Sequence, residues 1–189
     1  MRTALAMAAV LLLAACGSTP KENYYTLSAE AGGPPAAGAA SVSVQVAAPV
    51  PVPEAVDRSP MVIRTGSSQV DIDDLHRWVE PLKHAIPRAL AELLMRELGT
   101  PHVVAGRLSS AAPADYRVVL DVQRFDSSFA EGATLDAAWT VTPAKGPSRS
   151  GRTFAREAAP SRDHAGIAAA HRRALEKLAR EIAAAIRSG

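Results

Sequence analysis

The sequence predicts an α+β fold, an antiparallel sheet packed on one face by two amphipathic helices. Three observations carry this. Residues 116–125, 134–141 and 152–158 alternate apolar with polar side chains, the period of a half-buried strand. The turns between them are too short for a crossover helix, so these strands pair antiparallel. Two stretches, 78–98 and 161–187, instead repeat their apolar residues at helical spacing. Two such helices must hide their stripes, and one face of a sheet can cover both.

The elements follow in order. Tyr24-Tyr25-Thr26-Leu27 is a short β-prone run that joins the sheet. Ala29 to Ala40 holds three glycines and two prolines and reads as a flexible connection. Val42, Val44 and Val46 alternate with Ser41, Ser43 and Gln45, giving a strand with one apolar face. Pro49, Pro51 and Pro53 deny backbone donors, so this segment is extended or protects an edge. Met61-Val62-Ile63 and Val70-Asp71-Ile72 read as two short strands around a turn at Gly66-Ser67. Trp78, Leu82, Ile86, Leu90, Leu94 and Leu98 form the first helical stripe, with Pro81 in its first turn. Pro87 predicts a kink or a restart, because it removes the bond to residue 83. Gly99 and Pro101 end the helix. His102-Val103-Val104 is a brief strand before the three long ones, the second of which carries Trp139. Ser161 is the expected cap of the last helix, whose stripe runs Ile167, His171, Leu175, Leu178, Ile182, Ile186.

Composition narrows the function. The 189 residues carry 21 Lys and Arg against 19 Asp and Glu, a balance that argues against a nucleic-acid-binding surface. The single cysteine excludes an internal disulfide and a cysteine-built zinc site. Its position is informative. Ala4 to Leu13 is an unbroken apolar run of ten after Arg2. As a helix it spans about 15 Å, half a membrane's hydrocarbon core, so it fits a secretory signal rather than an anchor. Leu13-Ala14-Ala15-Cys16 resembles the lipobox of bacterial lipoproteins. Residues 1–15 are thus expected to be a removed signal peptide and Cys16 the acylated first residue of the mature chain. Residues 16–40 then form a lipidated N-terminus, and 41–189 a periplasmic domain. No aspartate follows Cys16, which favours the outer membrane.

Catalytic signals are sparse. His76, His84, His102, His164 and His171 contain no HxxxH or HExxH pair, so no metal site is expected. They read as solvated or capping residues, with His171 partly packed. Asp71, Asp73 and Asp74 lack the spacing of a calcium loop and read as turn carboxylates. The chain has no GxSxG, GxGxxG or GxxxxGK[ST] segment, and no cofactor is expected.

Two segments resemble one family. Val52-Pro53-Glu54-Ala55-Val56-Asp57-Arg58-Ser59-Pro60-Met61-Val62-Ile63-Arg64 resembles the VPxYLDRPxIVxR segment of the PqiC-like, or ABC-type transport auxiliary, lipoproteins. His76-Arg77-Trp78-Val79-Glu80-Pro81-Leu82 is similar to their HRWAEPL segment. Ala55, Val56 and Ser59-Pro60 depart from the pattern. The resemblance implies a non-enzymatic outer-membrane subunit of an MCE-type transport system. Such systems move phospholipids or other hydrophobic molecules between the membranes and support membrane integrity. It also implies a PqiB-like MCE-domain protein as partner, and homo-oligomers. Asp57, Arg58 and Arg64 are the candidate interface residues; Trp78, Leu82 and Trp139 are expected to be structural. An envelope hydrolase or ligand-binding lipoprotein is the alternative, and would require a deep pocket with convergent polar groups.

Overall fold

The structure, a computed structural model, describes residues 20–28, 42–108 and 113–188. The elements are β1 (Asn23–Tyr25), β2 (Val44–Ala47), β3 (Pro60–Arg64), β4 (Val70–Trp78), α1 (Leu82–Leu98), β5 (Val103–Gly106), β6 (Tyr116–Ser128), β7 (Gly132–Pro143), β8 (Arg149–Glu157) and α2 (His164–Arg187).

The three long strands form the expected antiparallel meander, with Leu120 opposite Trp139 and Leu135 opposite Ala155. The sheet as a whole is mixed rather than antiparallel. The other edge of β6 carries two wings. Near its start β6 pairs in parallel with β2, and β2 in parallel with β5. Near its end Ser127 meets Ile63 of β3, also in parallel; β3 pairs antiparallel with β4, and β4 in parallel with β1. The chain from β2 to β5 contains a hairpin and a helix, ample length for a parallel return.

Residues 48–59 fill the fork between the wings instead of shielding an edge. Val50 donates its N–H to the Lys83 carbonyl at 3.0 Å, Pro51 accepts from Val122 N–H at 3.0 Å, and Ser59 accepts from Trp78 N–H at 2.8 Å. Proline suits such a path, which offers carbonyls and needs few donors.

Trp78 closes β4 and does not begin α1, whose N-cap is Pro81. The helical spacing of Trp78, Leu82 and Ile86 arises because a strand end and a helix start face one core. The helix runs through Pro87 without a break. The carbonyl that Pro87 leaves free, that of Lys83, is the one that takes Val50. At its end Gly99 adopts φ 64°, a left-handed cap that glycine reaches without a Cβ penalty. The cap of α2 is Asp163 rather than Ser161: its Oδ1 accepts from Gly166 N–H at 2.7 Å, and Ser161 Oγ donates to the same oxygen at 2.8 Å.

Both helices pack on one side of the sheet. Ile86, Leu90 and Leu94 meet Ile167, Leu175, Leu178 and Ile182 over Val118, Leu120, Phe125 and Leu135, all buried. His171 belongs to this core and is completely enclosed, beyond the partial packing its sequence position suggests.

Candidate functional site

With the helix side sealed, the surface available to a partner is the opposite sheet face and the strand edges. Several outward side chains of β6 to β8 are tied into ion pairs. Arg152 donates Nε–H and Nη2–H to the two Asp136 oxygens at 2.7 Å each, and holds that carboxyl below the usual carboxylate range. Arg124 grips Asp126 at 2.6 Å, and Arg64 reaches the same carboxylate at 3.5 Å. Val119 and Phe154 are exposed apolar residues of these strands, with the Arg156 guanidinium 5.4 Å from the Phe154 ring centre.

The three candidate interface residues do not share one environment. Asp57 accepts from Lys83 Nζ at 3.0 Å and so ties the fork segment to α1. Arg58 is exposed. Arg64 lies between Asp126 and the Ser67 carbonyl, to which it donates at 3.3 Å. It borders an open cleft of about 530 Å³ between the β3–β4 and β6–β7 turns, lined by Gly66, Ser67, Phe129 and Glu131 among others. This cleft holds no set of convergent acid, base and nucleophile. Trp78 is buried, with its ring edge-on to Phe125 and His171 at 6.3 and 6.0 Å. Leu82 is buried at the start of α1. Trp139 is half-buried; its indole donates to Thr153 Oγ1 at 3.1 Å and lies over Gly151, where an added Cβ would come within 2.3 Å of the ring. Cys16, with the whole 29–40 connection, lies outside the described residues.

One edge of β4 carries exposed apolar side chains. Its partner β1 pairs only with His76 to Trp78, leaving 70–75 without a neighbour on that side among the described residues. Here Val70, Ile72 and Leu75 are 47%, 43% and 39% exposed. Their alternation with Asp71, Asp73 and Asp74 is a strand pattern, but a pattern alone does not say that its apolar side stays in solvent.

Beside this edge the structure gathers residues that no spacing announces. Between β3 and β4 the register jumps from Pro60 opposite Arg77 to Met61 opposite Asp73. Asp74, Leu75 and His76 therefore bulge out of the ladder, toward the start of α2. Asp73 Oδ1 accepts from Leu75 N–H at 2.9 Å, while Oδ2 lies 2.9 Å from His76 Nδ1 and 3.1 Å from His164 Nε2. The two imidazoles stack with centroids 3.7 Å apart and planes within 4°. Tyr25 lies against both, and Phe129 stands edge-on to His164 at 5.0 Å. Burial, then the neighbouring charge of His76, lowers the pKa of His164. Burial opposes ionisation of Asp73, but the Leu75 N–H and His76 outweigh it, and its pKa is lowered overall.

A serine and a histidine also meet. Ser127 Oγ lies 2.8 Å from His171 Nε2, but both are buried under Phe125, which stacks on the imidazole at 3.8 Å. Burial pushes the His171 pKa down to about 3. A substrate has no path to this pair, which satisfies a buried polar contact within the core.

Residues 25–183 match the family model described as the ABC-type transport auxiliary lipoprotein component. The chain belongs to this family. Its members are auxiliary parts of ABC-type transport, a non-enzymatic role. The match takes in every described element from the end of β1 into the last turns of α2. No curated protein matches the sequence. Among solved structures, a crystal structure of an uncharacterized protein superposes with a TM-score of 0.68 at 15% identity, covering 88% of this chain and 99% of that one. The crystal structure of protein XCC0632 from Xanthomonas campestris gives a TM-score of 0.61 at 19% identity, covering 85% and 92%. At these identities the two share the fold. Among the described residues no helix is long and apolar enough to cross a membrane.

Proposed function

We propose that this family member is a lipid-anchored subunit of an MCE-type ABC transport system, held at the outer membrane and facing the periplasm. There it docks the far end of a periplasmic MCE-domain protein that carries phospholipids or other hydrophobic molecules between the membranes. The family match over residues 25–183 carries the reading. The sequence before the domain agrees with it: Leu13-Ala14-Ala15-Cys16 offers a single acylation point after a short apolar segment. Several acyl chains on Cys16 hold the domain to a bilayer without a protein span. Confinement to a membrane plane raises local concentration and favours homo-oligomers and multivalent contact with the MCE assembly.

The docking surface in this reading is the outer edge of β4 with a basic rim at either end of the neighbouring β3, Arg58 before it and Arg64 closing it. Among the described residues the edge offers unpaired backbone groups beside Val70 and Ile72, a combination that accepts a partner strand. Crosslinking in native membranes, followed by affinity purification of the lipoprotein, tests the whole. The expected result is an acylated chain beginning at Cys16, recovered from outer-membrane fractions with an MCE-domain protein. Recovery of an unlipidated chain with no MCE-domain protein after crosslinking would overturn it.

A further inference from the structure

The cluster at the start of α2 is chemically unlike the rest of the surface. Asp73, His76 and His164 each present one donor atom, and these atoms lie within 4.8 Å of one another. They come from two elements, the β4 bulge and the first residue of α2. His164 Nε2 is enclosed and makes no hydrogen bond, although it lies 3.1 Å from the Asp73 carboxylate. A shielded imidazole nitrogen whose nearby carboxylate does not close a well-aligned hydrogen bond is a cost that the fold must offset. We infer that Asp73, His76 and His164 form a site for a divalent transition-metal ion of the zinc class.

Two imidazoles and one carboxylate make a donor set suited to zinc, nickel, copper or iron rather than to calcium or magnesium, which favour oxygen alone. In a tetrahedral zinc site, bonds of about 2.0–2.1 Å put neighbouring ligands a little over 3 Å apart. The carboxylate contacts of 2.9 and 3.1 Å are close to that, while the two rings, stacked in parallel planes 3.7 Å apart, must turn about their side-chain bonds to aim both nitrogen lone pairs at one ion. The surroundings suit an outer shell. Asn23 Nδ2 lies 3.4 Å from His76 Nε2 and 3.5 Å from the Lys21 carbonyl, which places an amide beside the ring nitrogen that Nδ1 binding would leave protonated. Tyr25 and Phe129 wall the site with aromatic surface. An ion there would fasten the start of α2 to the β4 bulge, beside the free β4 edge, and leave a fourth position for water or a partner's side chain.

The test uses the lipoprotein purified in detergent without a polyhistidine tag and stripped with a chelator. Zinc is titrated calorimetrically, and cobalt is added separately to read visible absorption. The expected result is about one ion per chain, a higher melting temperature, and cobalt bands typical of a four- or five-coordinate site. His76→Ala and His164→Ala should each weaken zinc binding by more than about tenfold, a loss that removing an outer-shell partner alone can cause. His84→Ala, at an exposed position on α1, should leave it unchanged. Melting of the stripped variants shows whether each is folded, and Asp73→Asn, nearly isosteric, supplies the same readout if either alanine variant is not. Absence of zinc uptake by the wild-type chain, or uptake that folded variants retain in full, would overturn the assignment.

Discussion

His171 shows what a single buried residue costs this domain. Its ring is sealed between Phe125 and Trp78, and its Nε2 meets Ser127 Oγ. The nearest charge that acts on it, Asp126, favours protonation but is outweighed by burial. The imidazole therefore stays neutral in the folded chain down to about pH 3, whereas in the unfolded chain it takes up a proton near pH 6.5. Between those values the unfolded state binds more protons, so stability falls as the pH falls and is unaffected by this group above pH 6.5. The loss from His171 alone is roughly 2 kcal/mol between pH 7.5 and 5. His171→Leu should start less stable at pH 7.5, because Ser127 loses its partner, yet lose that much less on acidification. Urea unfolding of both proteins at the two pH values measures this; parallel pH profiles would refute it. Nothing in the local sequence marks His171 as different from His164. Both stand near the start of one helix, two turns apart, and only the stripe that His171 shares with Ile167, Leu175 and Leu178 hints at its burial.

At the scale of elements, the parts legible in sequence are those whose own pattern decides their structure. The β6–β8 meander follows from period-two alternation with short turns, and α2 from a long stripe at helical spacing. The wings were not legible as a parallel arrangement, because a four-residue strand such as β2 carries no record of which neighbour it will meet. The histidine cluster was hidden for the same reason: it depends on a bulge that brings β4 to a helix start remote in sequence. Pro87 illustrates how tertiary structure resolves a local conflict. In a helix interior proline costs about 3 kcal/mol relative to alanine. Here the carbonyl it orphans accepts the Val50 N–H, and the helix continues through Pro87 without a restart. Pro87→Ala restores a competing donor for the Lys83 carbonyl. We expect a net gain in stability well below about 3 kcal/mol, with faster amide exchange at Val50. Denaturant unfolding and hydrogen exchange read the two effects; a full gain with unchanged Val50 protection would show that the bridge is immaterial.

For the whole molecule, the question is which surface a partner uses. The helix side is core, and the opposite side of the meander spends much of its polarity on internal pairs such as Asp136 with Arg152 and Asp126 with Arg124. Side chains already held in such pairs must be desolvated or broken to serve a partner, so they suit solubility better than docking. At the far edge of β8, Lys177 donates to the Phe154 carbonyl at 2.8 Å and Arg173 to that of Ala158, which blunts that edge from the α2 side. Among the described residues the outer edge of β4 from Val70 to Leu75, on the side away from β3, has no strand neighbour, and it carries three exposed apolar side chains. Proteins usually guard such an edge with charge, proline, a bulge or a covering element; Asp71, Asp74 and the bulge at 74–76 stand on it, which leaves Val70 and Ile72 as the part open to a partner in the proposed assembly. Val70→Asp and Ile72→Asp place charge there without touching the core, since both side chains are more than two-fifths exposed. Each should leave the urea midpoint and the lipid anchoring of the mature chain unchanged while abolishing co-purification with the MCE-domain protein. Arg58→Ala, on the proposed rim, should weaken co-purification less, because an exposed charge contributes about 1 kcal/mol or less to a contact. Retention of the partner by both aspartate variants, with both folded, would move the docking surface away from β4 and onto the cleft beside Arg64.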